Sequence, residues 1–298
     1  MSDANASTED EALYLLGFSP KLFEVSSIDE ADSTGAEAEF IDEQSTSLLA
    51  HFGIERIEAG AGWAWYKRIE RRDFEGTEGE KNLADIHWLT PRVIAHETVV
   101  DQLSCQSAFY PARFGTLFST EGRLFAFTEE ASELLAAYFR RVKGKREWGL
   151  KLYGDSARAA AIVAQRNGIL QEGRPIGGAN YLKLKQLQRE HNSAKAQFLD
   201  EVRQDATQAL QAQFTEMVAR PLHGAAKESS REELLSNLAI LATPSESTRL
   251  VDWAERWNNN ETSQTGVRVE LTGPWPAYSF CPSLTDDVLA SHARRQST

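Results

Sequence analysis

The strongest local constraint on the fold lies near the C-terminus, where an alternating apolar and charged stretch runs into Gly-Pro-Trp-Pro. The alternation over residues 267–271 predicts a half-buried strand. Pro274 and Pro276 then fix φ, remove two backbone N–H donors and bias the preceding residues away from the helical region. We therefore expect the strand to continue as a stiff, extended, polyproline-like segment. That segment carries three aromatic side chains, those of Trp275, Tyr278 and Phe280.

Two interpretations of this segment stay open. Rigid aromatic side chains bury large apolar areas at small entropic cost, so the segment is a candidate docking element for a partner. The simpler interpretation, which physical reasoning favours, is a C-terminal segment packed onto its own domain. The candidate docking residues are Gly273, Pro274, Trp275, Pro276, Tyr278, Ser279 and Phe280.

The composition is that of an ordinary globular chain, with 41% hydrophobic and 26% charged residues among 298. This length predicts two domains, each able to bury its own core. The net charge of −12 disfavours nucleic acid as a partner, because neutralising phosphates requires a basic face. The N-terminus lacks the apolar core of a signal peptide, and no apolar run approaches the ~20 residues that span a bilayer. We therefore expect a cytoplasmic protein without a membrane partner, whose Cys105 and Cys281 are reduced thiols.

The order of the predicted elements favours an α+β fold in two small domains. The first domain opens with a buried strand at 12–18 and an alternating strand at 21–27. The acidic stretch 28–47 indicates a solvated loop, and residues 71–82 are loop-like as well. The predicted division is a disordered leader at 1–11, a first domain at 12–154, a second domain at 155–282 and a tail at 283–298.

Helix boundaries in the first domain are predicted from capping residues. Thr90–Pro91 suits the N-cap and first helical position of a helix that restarts within 83–103. Another helix is expected to begin at 128–130 and to end before Gly144, a C-cap glycine. An alternating strand at 147–153 then closes the domain. The order of strands and helices is similar to a ferredoxin-like β-α-β-β-α-β unit.

The second domain is dominated by the longest helical pattern in the chain, residues 179–220, which stops before Pro221 and follows a shorter helix at 156–170. Its apolar residues recur at spacings of three and four, which is typical of a coiled coil or helical hairpin. Core packing is favoured for this stripe; self-association through it is the alternative, and the oligomeric state is left open. A small β-α-β unit completes the domain, with a strand at 234–242, a helix at 244–258 and the strand at 267–271.

No catalytic, metal or cofactor motif is visible in the sequence. No zincin pattern, nucleophile elbow or phosphate-binding glycine loop is present. The expectation is therefore no catalytic residue, no metal and no cofactor, with an enzyme whose site cannot be recognised by motif as an alternative. The histidines are dispersed, at 51, 87, 96, 191, 223 and 292.

Two further clusters have a functional and a structural interpretation. Trp63, Trp65 and Tyr66 form either a binding surface or, as tryptophans more often do, part of a core. A basic run in this acidic chain supplies candidate contacts to an acidic partner. The simpler interpretation of that run is favourable charge at a helix C-terminus. Its residues are Arg140, Arg141, Lys143, Lys145 and Arg146.

The C-terminal sequence LTGPWPAYSF closely resembles the TGPWPPYSF hallmark of the GvpF/GvpL family of gas vesicle proteins. Supporting segments occur in the family's order: ALYLLGF, HWLTPRVIAHETVVDQL, FYPARFGTLF, REWGLKLY and GGANYLKLK. Together they cover about half of the chain. Ala277 departs from the family's second proline, and the resemblance places no segment in the stretches 28–47 and 58–82.

The resemblance implies a non-enzymatic accessory protein for gas vesicle assembly. It implies chaperone-like binding of the hydrophobic structural shell subunit, of other gas vesicle accessory proteins, or of both, and a possible place as a minor shell component. It also implies two α+β domains with a helical region. A subunit destined for a gas-facing wall exposes apolar surface that would aggregate unless covered, which is a physical reason for such a partner.

Overall fold

The computed structural model of the protein describes residues 10–21, 49–166, 178–222 and 232–284. The features predicted at 1–11, 21–27, 28–47 and 283–298 therefore lie wholly or largely outside the described residues.

The chain forms two compact units, and the first is made from two separate stretches. Unit 1 combines residues 1–145 with residues 275–298, and unit 2 is the intervening stretch 146–274. The structure thus divides the chain differently from the predicted boundary after residue 154. The reason is long-range strand pairing, because the strand expected to close the first domain has its hydrogen-bonding partner about 90 residues later along the chain.

Unit 1 is built on an antiparallel sheet with the path β2-β3-β1-β4, to which β5 adds by pairing with β1. The central strand β1 is buried over residues 12–19, as its continuous apolar run predicted. Gly17 is required where β1 meets β4, since a Cβ there would lie 2.2 Å from the carbonyl oxygen of Tyr110. The strands are β1 Glu11–Pro20, β2 Ile54–Ala59, β3 Gly62–Glu70, β4 Tyr110–Pro111 and β5 Leu117–Phe118.

The helices of unit 1 begin at different residues from those predicted. They are α1 Gly76–Ala84, α2 Ile86–Gln106, α3 Glu121–Glu130 and α4 Ser132–Val142, with a 3-10 turn at Arg71–Asp73. Asp85 caps α2 by accepting from the backbone N–H of His87 at 2.9 Å, so the helix does not restart at Thr90. Pro91 lies inside α2, where none of residues 86–95 is buried, and water can satisfy the carbonyl that lacks an N–H partner.

The remaining helices of unit 1 show one corrected boundary, one confirmed boundary and one helix that was not predicted. Thr120 caps α3, whereas Thr128 lies inside that helix and donates its hydroxyl to the carbonyl of Leu124. Gly144 follows α4 with a φ of +66°, as predicted for a C-cap glycine. Helix α1 replaces the predicted loop at 71–82; Gly79 permits it, because a Cβ there would lie 2.3 Å from the backbone of Phe74.

Unit 2 contains a sheet with the path β7-β8-β6-β9. β6 and β8 pair antiparallel along almost their whole lengths, and three helices supply apolar side chains to one core cluster with them. The strands are β6 Arg146–Asp155, β7 Met217–Ala219, β8 Glu232–Ala242 and β9 Val267–Trp275. The helices are α5 Ser156–Arg166, α6 Gly178–Gln211, α7 Pro244–Arg256 and the short α8 Thr262–Thr265, with a π-helical turn at Trp257–Glu261.

The long helix α6 ends at Gln211 rather than at residue 220. Phe214 is buried just beyond it, and the chain then turns so that β7 can pair with β8. The apolar spacing continued through this turn by coincidence. Over residues 185–211, the part of α6 whose side chains are described, the core begins at Phe198, and residues 185–197 contain no buried residue. Self-association through the exposed part stays a prediction.

A buried ion pair joins Arg220, the residue that follows the edge strand β7, to the inner strand β6 of the sheet in unit 2. Glu147 on β6 is 1% exposed, and its carboxylate accepts from the guanidinium of Arg220. The backbone N–H of Arg220 also donates to the backbone carbonyl oxygen of Asn237. Burial lowers the pKa of Arg220. A carboxylate in this position must be paired, because an uncompensated buried charge is costly.

We expect Arg220→Met to lower the free energy of unfolding of unit 2 by about 3–5 kcal/mol, because it removes the guanidinium that pairs with the buried carboxylate of Glu147. Hydrogen exchange of the β6 and β8 amides measures this loss. The matched control is Arg268→Met, which breaks the half-exposed pairs with Glu232 and Glu270 and should cost less than about 1 kcal/mol. Equal losses in the two variants would contradict the assignment.

Candidate functional site

The C-terminal segment is extended only as far as its tryptophan. Strand β9 continues to Trp275 and includes the cis peptide bond Gly273–Pro274. After Pro276 the backbone again has N–H donors, and Tyr278–Phe280 form one turn of 3-10 helix, closed by the N–H of Phe280 on the carbonyl of Ala277 at 3.1 Å. The predicted extended segment is therefore corrected to a strand followed by a tight turn, which directs Phe280 into the core.

This turn is held on unit 1 by the hydroxyl of Tyr138 on α4. The hydroxyl lies 3.2 Å from two carbonyl oxygens, those of Phe109 and Ala277, so one donor serves the edge of the sheet and the returning segment. Burial raises the pKa of Tyr138, so the hydroxyl keeps its proton and stays a donor. Nearby, the hydroxyl of Tyr110 donates to the carbonyl of Pro282 at 3.0 Å. The segment is thus fixed through its backbone.

The aromatic side chains of the segment differ in exposure. Phe280 is buried, with the guanidinium of Arg141 5.2 Å from its ring centre, and Tyr278 is half-buried, donating its hydroxyl to Glu97 on α2 at 3.1 Å. Trp275, by contrast, is 50% exposed. Pro276 is buried, Pro274 is exposed, and Gly273 and Ser279 are half-buried. Packing of the segment, the simpler interpretation, therefore describes most of it; docking through Trp275 stays a prediction.

The basic run and the C-terminal segment, predicted as separate candidates, touch each other. Arg140 and Arg141 lie in the last turn of α4, as the helix-terminus interpretation expected, and Lys143 is its C-cap residue. Arg141 covers Phe280, as described above. Inside unit 2, Arg146 donates to the carbonyl of Pro274 at 3.3 Å. Contact of this run, including the half-buried Lys145, with an acidic partner stays a prediction.

The tryptophan cluster on β3 belongs to the core of unit 1. Trp65 and Tyr66 are each 3% exposed, and the indole N–H of Trp65 donates to the hydroxyl of Ser19 at 2.8 Å. Trp63 packs against the same cluster, with the guanidinium of Arg56 4.2 Å from its ring centre. The core interpretation of these residues is the one that their burial supports.

A cavity that the sequence did not predict lies between the unit 1 sheet and α2. We name it the sheet–helix cavity; its volume is about 320 Å³. Its wall is formed mainly by apolar and aromatic side chains, and charged residues of β3 and α2 lie at its mouth. No local motif could have predicted it, because its lining comes from several elements that are distant in sequence. The principal apolar lining residues are Tyr14, Leu16, Ile54, Ile69, Phe74 and Phe114.

His96 on α2 is buried beside this cavity, with both ring nitrogens engaged. Nε2 lies 3.2 Å from the carbonyl oxygen of Ala112, which can only accept, so Nε2 carries the proton. Nδ1 therefore accepts from the hydroxyl of Tyr14 at 2.8 Å. Burial lowers the pKa of His96 to about 4 and raises that of Tyr14, so both groups are neutral at physiological pH. This pair acts as a hydrogen-bonded part of the core.

Neither a metal site nor a membrane span is found among the described residues. No group of three or more His, Cys, Asp or Glu side chains converges on a point where a metal ion could be held. Among the helices that the structure describes, none combines the length and apolarity needed to cross a bilayer.

Comparison with known proteins assigns the family. The model of the gas vesicle synthesis protein GvpL/GvpF family matches residues 34–282, which include the C-terminal segment and most of both units. The chain therefore belongs to the GvpL/GvpF family, and this membership implies a role in gas vesicle formation.

Relatives agree with this assignment, and two solved structures are similar in fold. The chain is 27% identical over 217 residues to gas vesicle protein L of a Streptomyces species, covering 72% of this chain and 78% of the relative. It is 26% identical over 216 residues to gas vesicle protein L1 of Halobacterium salinarum, covering 67% of this chain and 73% of that relative. The crystal structures of GvpF from Anabaena and from Microcystis aeruginosa each match at 14% identity with a TM-score of 0.56. Each match covers 91% of this chain; it covers 96% of the Anabaena chain and 99% of the Microcystis aeruginosa chain. The mixed helix-and-sheet fold is thus similar to that of GvpF.

We expect Tyr138→Phe to lower the free energy of unfolding of unit 1 by about 1–2 kcal/mol, because two buried carbonyls share the lost donor. It should also speed proteolysis after residue 275. The control Tyr278→Phe removes a hydroxyl of the same segment that donates to the carboxylate of Glu97 at an exposed position, and it should cost less. Urea denaturation and timed proteolysis measure both effects; an unchanged cleavage rate in Tyr138→Phe would reject the proposed role of this hydroxyl.

The burial of His96 predicts a pH-dependent stability. Its pKa is about 4 in the folded protein and 6.5 in the unfolded chain, so the unfolded chain binds the extra proton between these values. The contribution of neutral His96 to the free energy of unfolding is fully present above pH 6.5 and is lost as the pH falls towards 4. It amounts to about 3 kcal/mol. Between pH 7 and 4, the free energy of unfolding should fall less steeply in His96→Gln than in the wild type. His87→Gln, at an exposed position of the same helix, should keep the wild-type slope.

Proposed function

We propose that the protein is a non-enzymatic assembly factor that binds the hydrophobic shell subunit of the gas vesicle, other gas vesicle accessory proteins, or both, in a chaperone-like manner. The observation that carries this proposal is the C-terminal segment in its structural setting. A segment fixed to the core by Tyr138 and Phe280 nevertheless leaves Trp275 half exposed. A large aromatic side chain held on a rigid support is the usual form of a binding hot spot.

Further exposed apolar side chains on unit 1 support the same proposal. Ile86 and Ile94 on α2 are 63% and 60% exposed, and they lie eight residues apart, close to the same side of the helix. Leu83 on α1 is exposed as well. Apolar surface of this kind is suited to cover a subunit that would otherwise aggregate. The chain's net charge of −12 would keep such a complex soluble.

We propose that the protein acts in the cytoplasm and on the gas vesicle without catalysing a reaction. The engagement of both ring nitrogens of His96 supports this, because the histidine beside the sheet–helix cavity has no nitrogen available for proton transfer to a bound molecule.

We also propose that unit 1 is ferredoxin-like. Its support is the antiparallel path β2-β3-β1-β4, in which β1 lies between β3 and β4. Helical residues 49–52 precede β2 and helix α2 precedes β4, as in a β-α-β-β-α-β order. The path β7-β8-β6-β9 gives unit 2 the same strand order within its own sheet.

We expect the full-length chain, co-expressed with the apolar shell subunit, to raise the soluble fraction of that subunit. Trp275→Ala should reduce this effect and should lower the free energy of unfolding by about 1–3 kcal/mol, because the other half of the side chain is buried. The control Phe125→Ala removes a 43% exposed aromatic outside the segment and should capture the subunit like the wild type. If the subunit is equally soluble without the chain, the proposed function is wrong.

A further inference from the structure

One charged residue interrupts the covered face of the unit 1 sheet. Alternate residues of β3 face α2, and Trp63, Trp65 and Ile69 all pack against the apolar cluster there. Lys67 occupies the remaining position of that series. In the strand register it lies opposite Tyr14 on β1 and Ile54 on β2, both of which line the sheet–helix cavity. A lysine is thus positioned at the mouth of an apolar cavity.

A second cation lies at the same mouth. Arg92 on α2 is 3.8 Å from the ring centre of Trp88 and donates to the carbonyl of Trp88 at 3.1 Å, so its guanidinium is held in position. Among the described residues, neither Arg92 nor Lys67 forms an ion pair with a carboxylate. In a chain of net charge −12, two such cations at one opening form a local site for a negative group.

The other charges at the mouth do not cancel these two. Arg68 is already engaged by Glu55 and Glu121, and Glu70 is engaged by Arg72. Asp73 is the single lining carboxylate without an ion pair among the described residues, against Lys67 and Arg92. The charged lining residues, three cations and the two carboxylates Glu70 and Asp73, have a formal net charge of +1.

The cavity itself is aromatic and small. The rings of Tyr14, Phe74 and Phe114 lie with their centres 5.3–5.8 Å apart, and His96 closes one side with both nitrogens engaged. A volume of about 320 Å³ is near the lower limit of roughly 300–1,000 Å³ for small-molecule pockets. It is large enough for one bulky side chain and too small for a secondary-structure element.

We propose that the sheet–helix cavity receives one large apolar side chain from a segment of the shell subunit, and that Lys67 and Arg92 bind a carboxylate next to it on that segment. This inference rests on the proposed function, because it names the site that the apolar partner occupies. An anchor side chain in an apolar pocket with a charged rim is the arrangement that most binding hot spots adopt. The rim cations add selectivity, since an apolar segment without a neighbouring carboxylate leaves them unpaired.

The test compares capture of a tagged shell subunit by full-length variants in co-expression. Ala95→Trp fills the cavity from α2, and Lys67→Glu with Arg92→Glu reverses the charge at its mouth. Each should lower the captured fraction by about tenfold or more. The matched control, Arg123→Glu with Arg256→Glu, changes the net charge equally at exposed sites outside the cavity and should capture like the wild type. Capture by the wild type should also weaken with added salt, because exposed charges are screened.

The outcomes separate this inference from the function on which it rests. If the wild type captures no subunit, both are wrong. If the wild type captures it and the cavity and charge variants capture equally well, the cavity inference alone is wrong. Should Ala95→Trp fail to fold, the charge-reversal variant decides, since both of its positions are exposed. Octanoate tests for a small-molecule site: if it stabilises the wild type and not Ala95→Trp while capture is unchanged, the cavity takes a small carboxylate and the inference is overturned.

Discussion

The structure of unit 1 depends on one constraint: the chain leaves this unit after residue 145, and a distant segment returns to it from residue 275 onward. The chain enters unit 2 at Arg146 and leaves it at Pro274. The hydroxyl of Tyr138 meets the returning backbone at Ala277 and the sheet edge at Phe109. Because a buried carbonyl without a donor is costly, this hydroxyl ties two stretches that the sequence separates by 168 residues. The chain passes from unit 1 to unit 2 within the basic run, between residues 145 and 146, and returns within the proline-rich segment, between residues 274 and 275. Nothing in the sequence indicates that these two features are related.

This geometry explains the residue types of the C-terminal segment. Pro276 and Phe280 are buried and hold the turn in place, whereas Trp275 stays exposed before it. Ala277 stands where the family sequence has a proline, and the structure explains why the change is tolerated. Its φ of −80° is close to the value that proline imposes, and its interaction with Tyr138 is made by the backbone carbonyl, which either residue supplies. The side chain contributes only buried apolar contact.

The sequence predicted those elements whose signals are local. The continuous apolar run of β1 and the glycine after α4 each follow from a few adjacent residues, and both predictions are confirmed. Predictions that required long-range information were wrong or missing. The spacing of apolar residues passed through Gln211 without a break, because the helix ends where β7 finds a partner on β8 and not where the pattern changes. The division between units depends in the same way on the pairing of β6 with β8. Helix α1 was missed because Gly79, which disfavours a helix by propensity, is what allows it to pack on Phe74.

The candidate cavity was missed as a site, yet one part of it was visible in the sequence. Successive residues of a strand point to opposite faces of the sheet. On β3 this alternation assigns Lys67 to the same, covered face as Trp63, Trp65 and Ile69. A lysine there loses stability relative to an apolar residue unless its charge reaches water or a partner. In the sequence, the tryptophans suggested a binding surface. In the structure Trp65 is buried and Trp63 packs against the core, so Lys67 is the residue of this series that lies apart from the core. On this otherwise apolar face of β3, Lys67 is therefore the one residue of the series that core packing does not explain.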